Sequence, residues 1–220
     1  MNAVTPPAHT RPVRILISGG ADLGLVAEET GCPTGTLLVP TCNNRRVREG
    51  YPFAVDNGAF TGFNRDTRAA FGDILAKSRP HRERCLFVAV PDVVGSARRT
   101  LECFEAWRRK LNGWPLALVC QDGQEHLPIP WHQIEAVFIG GSTEWKLSKH
   151  AEHVVRAAQI HGKHVHVGRV NTPGRFSHFE ALGVDSIDGG NLAWRREHRL
   201  AIRRRHDDAP ALFEPEPLAA

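Results

Sequence analysis

Residues able to do polar chemistry recur in this sequence directly after short apolar runs: Asp56 in FAVDNG, Asp92 in CLFVAVPD, Gln121 and Asp122 in LALVCQDG, Gly140 and Gly141 in AVFIGGS, Arg169 in HVHVGRVN, and Asp188 in VDSIDGG. Two carboxylates facing one cleft can divide labour at a sugar carbon, one as nucleophile and one as acid/base, and Asp56 and Asp188 form such a pair. Asp92 supplies acceptors and Gln121 an amide with both donor and acceptor, the combination that reads the polar edge of a purine-like base. An acceptor facing N1–H and the exocyclic amine selects a guanine-type ring. Gly140 and Gly141 have no side chains, so their backbone can approach a flat ligand. Each residue alone has a structural alternative: a strand-end Asp caps a turn or helix, Gln121 satisfies loop backbone, and GG makes a tight turn. The chemical reading rests on their shared position at strand ends.

Other polar residues carry less. HGKHVHVG puts His164 and His166 on one face of a strand, where they are expected to be packed or solvated imidazoles. No Cys/His spacing matches a structural zinc site, so no metal ligand is expected. The Gly pair lacks the spacing of a dinucleotide or phosphate-loop fingerprint, which excludes a nucleotide cofactor reading. WRREHRLAIRRRH, residues 194–206, holds six Arg against one Glu. As a helix near the last strand it is expected to track phosphates through Arg195, Arg196 and Arg199, with Arg169 and Arg175 extending the patch; a solvated surface helix is the alternative.

The elements needed to position these residues are legible in outline. Eight β-rich runs, at 14–20, 36–43, 53–58, 85–92, 116–123, 136–142, 164–171 and 184–190, are nearly continuous in apolar residues, as parallel strands covered on both faces are. Helical patterns fall between them at Asp22–Thr30, Asp66–Lys77, Ser96–Leu111, Thr143–His161, Arg175–Leu182 and Leu192–Arg205. Ser96 is expected to cap its helix, whose Leu101, Phe104, Trp107 and Leu111 form an apolar stripe. Alternating strands and helices predict a (β/α)8 TIM-type barrel, whose strand ends converge on one mouth. Only CNNRRVREGYP separates the second and third strands, so at least one βα unit is trimmed to a loop.

Composition bounds the rest. The chain has 220 residues, 41% of them hydrophobic and 24% charged, which suits one folded domain over 1–206 with a flexible tail, rich in Pro and acid, over 207–220. A net charge of +4 and a pI near 9.0 suit an anionic partner. The five cysteines are odd in number and form no CxxC pair, so they are read as reduced core thiols. No apolar run is long enough to span a membrane and the N-terminus has no apolar leader, so a cytoplasmic protein without membrane contact is expected.

Taken in order along the chain, VDNGAF, VPDVVGS, LVCQDG, FIGGS, VGRVNTPGRF and GVDSIDGG resemble the active-site series of the tRNA-guanine transglycosylase superfamily, over roughly residues 53–190. More closely, the chain is similar to the short phage and bacterial paralogs that place 7-deazaguanine bases into DNA. The resemblance implies that Asp188 attacks the sugar C1′ and Asp56 is the acid/base carboxylate. It also implies that Asp92 and Gln121 read the base edge, and that Phe60, Gly140 and Gly141 add contacts to it. It implies a nucleic-acid substrate, DNA rather than tRNA, a 7-deazapurine base as second substrate, and no cofactor. A helicase-like or homo-oligomeric partner fits the need to open a duplex. The tRNA enzymes carry a cysteine-rich zinc segment after the nucleophile, whereas no cysteine here follows Cys120. DNGAF stands where those enzymes continue Ser-Gly-Gly-Phe-Gln, and GGS where they have Gly-Gly-Leu-Ala. Three other readings of the same residues are a nucleoside or N-glycoside hydrolase, in which water resolves the intermediate, a tRNA-guanine transglycosylase proper, and a non-catalytic nucleic-acid-binding partner subunit.

Overall fold

The computed structural model describes residues 12–208. Eight strands, β1 (Arg14–Ile17), β2 (Thr34–Leu38), β3 (Phe53–Val55), β4 (Cys85–Ala89), β5 (Leu116–Cys120), β6 (Ala136–Ile139), β7 (His164–Val167) and β8 (Ser186–Asp188), close into a barrel in sequence order. Every neighbouring pair is parallel, and β8 closes on β1 with Leu16 beside Asp188. The protein is therefore an α/β barrel of the TIM type, as the alternation of patterns predicts.

Outside the strands lie α1 (Leu23–Thr30), α2 (Arg45–Arg48), α3 (Arg65–Ser78), α4 (Ala97–Trp107), α5 (Thr143–Lys146), α6 (Lys149–Ile160), α7 (Pro173–Ala181), α8 (Gly190–Trp194) and α9 (Arg196–Asp207). Local chemistry sets their limits. Asp22, Asn64, Ser96, Ser142 and Thr172 each accept a backbone N–H of their helix's first turn, and Gly31 ends α1 at φ 73°. The expected trimmed unit between β2 and β3 keeps a single turn, α2, anchored by fully buried Val47. A second reduction falls between β5 and β6, where only two 3-10 turns, Gln124–His126 and Trp131–Gln133, replace a helix. Of the tail expected over 207–220, only Asp207 and Asp208 are described, and Asp207 still closes α9.

Two expected helices are each broken in two. The pattern over Thr143–His161 splits at Leu147 and Ser148, where the Ser148 hydroxyl donates back to the Trp145 carbonyl. The pattern over Leu192–Arg205 splits at Arg195. That break turns α9 so that the Arg199 guanidinium donates to the carbonyls of Leu192 and Ala193, which end α8 (3.1 and 3.0 Å).

The core has two layers, as the period of a strand requires. Ile15, Ile17, Val55, Val88, Leu118, Val137 and Val165 point outward and pack against the helices. Leu16, Leu37, Ala54, Phe87, Ala89, Ala117, Val119, Ala136 and Phe138 fill the barrel interior. The wall made by β7 and β8 continues that interior with His164, His166 and Ser186; both imidazoles lie tilted against Phe87 (centroids 5.6 and 4.9 Å).

Candidate active site

The inward phase of β3, β5, β6 and β8 explains why those apolar runs end on polar residues. Ala54 precedes Asp56 by two positions, Val119 precedes Gln121, Phe138 precedes Gly140, and Ser186 precedes Asp188. Each polar residue is thus the next inward position, at the C-terminal mouth where the packed interior gives way to a cavity of about 650 Å³. Its lining includes Asp56, Phe60, Asp92, Gln121, Gly140, Arg169 and Asp188, with apolar walls from Val39, Val94, Val119 and Phe138. The volume lies in the range of small-molecule sites.

Asp188 is held on both oxygens. Oδ1 accepts the Arg169 backbone N–H (3.1 Å), and Oδ2 lies 3.0 Å from Nε2 of fully buried His166. His166 Nδ1 lies 2.8 Å from the Ser186 hydroxyl, which lies 2.8 Å from His164 Nε2. A carboxylate only accepts, so His166 donates from Nε2 and its Nδ1 accepts from Ser186. The hydroxyl oxygen is then free to accept from His164. The proton polarity of the whole chain then runs toward Asp188.

Asp56 sits in a different environment. Its Oδ1 accepts the Gly58 N–H (2.9 Å). Burial pushes its pKa up to about 6, helped by the nearby charges of Asp188 and Asp92 and opposed by the Gly58 N–H and Arg169. A carboxyl titrating there can both give and take a proton near neutrality.

Asp92 does not cap α4; Ser96 does so itself. Asp92 Oδ1 accepts from Asn57 Nδ2 (2.9 Å) and Oδ2 from Gln121 Nε2 (2.7 Å), while Gln121 Oε1 accepts the Gly95 N–H (3.1 Å). Asn57 is fixed in turn by the Val90 carbonyl and the Ala59 N–H. Burial raises the Asp92 pKa against the pull of these two amides. The result is a rigid array that leaves a second amide N–H on Gln121 and further lone pairs on Asp92.

Arg169 is the one non-glycine residue with positive φ among the described residues (φ 60°), a conformation that costs a few kcal/mol at most and persists where surroundings impose it. It lets the backbone N–H meet Asp188 while the guanidinium donates to the carbonyls of Gly140 and Gly141 (2.6 and 2.8 Å). The same guanidinium lies 4.4 Å over Phe60, a rim residue 65% exposed. Arg169 is therefore a bridge across the cavity instead of part of an outer phosphate patch. Gly140 and Gly141 also direct both N–H groups to the Cys120 carbonyl. Their lack of side chains is needed for packing: a Cβ on Gly140 would lie 2.7 Å from Val119, and one on Gly141 2.3 Å from Asp122. Gly141 does not line the cavity.

The remaining arginines also lie outside the cavity lining. Contrary to the expectation from sequence, Arg199 cannot reach a phosphate: it is 6% exposed and bound to Glu29 at 2.6 Å. Arg196 holds the other Glu29 oxygen at 2.6 Å but stays exposed, and exposed Arg195 pairs with Glu197. Arg175, half-buried at the start of α7, stands close enough to Lys146 to be felt in its pKa.

Sequence reasoning missed Asn57, Ser186 and Lys146, and gave His166 no role toward Asp188. Lys146 is buried, donates to the Gly168 carbonyl, and has its pKa lowered to about 8 by burial and by Arg169 and Arg175. The inward spacing of His164, His166, Ser186 and Asp188 was a readable signal, whereas nothing in TEWK marks Lys146 as buried. No family model matches the chain, and no curated protein matches it in sequence.

Proposed function

We propose that the protein is a transglycosylase that exchanges guanine in DNA for a 7-deazaguanine derivative through a glycosyl-enzyme on Asp188. The observation that carries this reading is the unequal pair of carboxylates at one mouth. Asp188 has both oxygens oriented by Arg169 and His166, while Asp56 has a pKa pushed up to about 6. Such a difference divides nucleophile from acid/base. The Asp92–Asn57–Gln121 array between apolar walls supports a guanine-type ring as the leaving and entering group. The ordered motifs that resemble the tRNA-guanine transglycosylases point the same way.

In this mechanism Asp188 attacks C1′, the C1′–N9 bond breaks, and Asp56 delivers a proton to the departing guanine. A deazapurine then enters the vacated cavity, loses a proton to Asp56, and attacks C1′ as the bond to Asp188 breaks. Two displacements give net retention. The target nucleotide has to leave its stack to enter the cavity, so single-stranded or flipped sites are favoured.

The test is uptake of labelled guanine into single-stranded DNA, duplex DNA and tRNA in parallel. Label enters DNA in preference to tRNA, single-stranded DNA most rapidly, and Asp188→Ala abolishes uptake with an unchanged circular dichroism spectrum. Full activity of that variant sinks the nucleophile assignment. Release of guanine without uptake of label turns the reading toward hydrolysis.

A further inference from the structure

A second cluster of chemistry-bearing side chains lies on the loop that follows Gln121, outside the cavity lining. After Gly123, at φ 91°, the chain makes the 3-10 turn Gln124–His126 against α6. Glu125 is largely buried, and its Oε2 accepts the indole N–H of Trp145 on α5 (2.9 Å). That bond fixes the carboxylate and leaves Oε1 facing two imidazoles. Oε1 lies 3.6 Å from His126 Nε2 and 3.4 Å from His150 Nδ1, on the first turn of α6. The three candidate ligand atoms all fall within 4.8 Å of one another.

These distances discriminate between two kinds of contact. Both exceed the range of about 2.7–3.2 Å for an N–H···O bond, and both nitrogens lie nearest the same oxygen. Bonds of about 2.0–2.1 Å from a tetrahedral metal ion to N and O ligands set neighbouring ligand atoms about 3.3–3.4 Å apart. The Glu125–His150 spacing matches that edge, and the Glu125–His126 spacing nearly does. The Trp145 N–H on the far oxygen is the kind of outer hydrogen bond that orients a ligating carboxylate.

We propose that Glu125, His126 and His150 bind one divalent transition-metal ion of the Zn²⁺ class, with water at the fourth position. Two imidazoles and one carboxylate select such an ion over Mg²⁺ or Ca²⁺, which take oxygen ligands. Both histidines are exposed, so a hydrated ion can enter without opening the core. The ion adds a link to a wall already tied together: Asp122 accepts from the Ser142 N–H and hydroxyl (2.6 Å each), and Glu125 holds Trp145. Gln121 lies on the same loop, so the ion fastens the segment that carries it to α6. The site stands whether or not the protein exchanges bases.

The experiment uses untagged full-length protein, stripped with chelator and dialysed, then titrated with Zn²⁺ and with Co²⁺. The wild type takes up a single equivalent saturably, Co²⁺ shows the intense visible bands of a four-coordinate ion, and Zn²⁺ raises the melting temperature. His126→Ala and His150→Ala each weaken uptake by about tenfold or more and lose the thermal shift. His153→Ala, an exposed histidine on the same helix outside the cluster, behaves as wild type. No saturable uptake by the wild type, or uptake unchanged in both His126→Ala and His150→Ala, overturns the assignment.

Discussion

Replacing Asp56 with Asn should make the protein more stable while removing activity, and the gain should depend on pH. The folded pKa is pushed up to about 6 from an ordinary 3.8, chiefly by burial. Between those values the unfolded chain has released the Asp56 proton and the folded chain has not, so folded stability falls as pH rises through that window. At about 1.36 kcal/mol per pKa unit, the loss grows through that window and levels off at about 3 kcal/mol from pH 7 upward. Asn carries no charge, and its Oδ1 can still accept the Gly58 N–H. Asp56→Asn therefore escapes the penalty, with about 3 kcal/mol as the ceiling because its extra N–H also needs a partner. Urea unfolding of both proteins from pH 5 to pH 8 measures the difference directly. Base exchange by the variant should fall by about a hundredfold or more, the usual contribution of a general acid/base. A variant equal to or less stable than wild type by the same amount at every pH refutes the argument, because it would mean Asp56 is ionised without cost in the folded protein.

Two further outcomes follow from the network and the arginine helix. His166→Phe keeps a ring beside Phe138 but removes the donor to Asp188 Oδ2. The loss of one hydrogen bond to a charged group, about 1.5–3 kcal/mol, should lower kcat by about ten- to a hundredfold with little change in KM. An equal fall in kcat/KM from KM alone would show that His166 only shapes the cavity. Arg199→Ala leaves the largely buried Glu29 carboxylate with Arg196 alone and strips a donor from the Leu192 and Ala193 carbonyls. It should destabilise the fold by about 3 kcal/mol in urea unfolding while leaving DNA affinity per folded molecule unchanged. A selective loss of DNA binding would return Arg199 to the phosphate contacts expected from sequence.

The barrel was legible because its signal is local and repeated. Eight apolar runs, with helical patterns or trimmed loops between them, leave few ways to bury both faces of every strand, and a closed parallel barrel is the simplest. The inward phase of Ala54 and Asp56, or of Ser186 and Asp188, is likewise written in the two-residue period of a strand. Sequence alone therefore determined the fold class, the strand ends that form the mouth, and the presence there of Asp56, Asp92, Gln121, Gly140, Arg169 and Asp188.

Partnership was decided only in three dimensions, because it joins residues far apart along the chain through register and backbone bends. The β7–β8 register sets His166 beside Ser186, which turns two histidines in a strand into a hydrogen-bond chain behind Asp188. The break at Arg195, which no propensity marks, turns Arg199 inward to Glu29, 170 positions away, and removes it from the charged surface its sequence advertises. The positive φ of Arg169 likewise brings a strand-end arginine back over Gly140, Gly141 and Phe60. Glu125, His126 and His150 have no spacing that reads as a metal motif, since packing of a 3-10 turn on α6 is what gathers them. A sequence fixes which side chains are available and on which face of their own strand or helix. Whether a charge meets solvent, a partner or a ligand depends on what the rest of the chain packs against it.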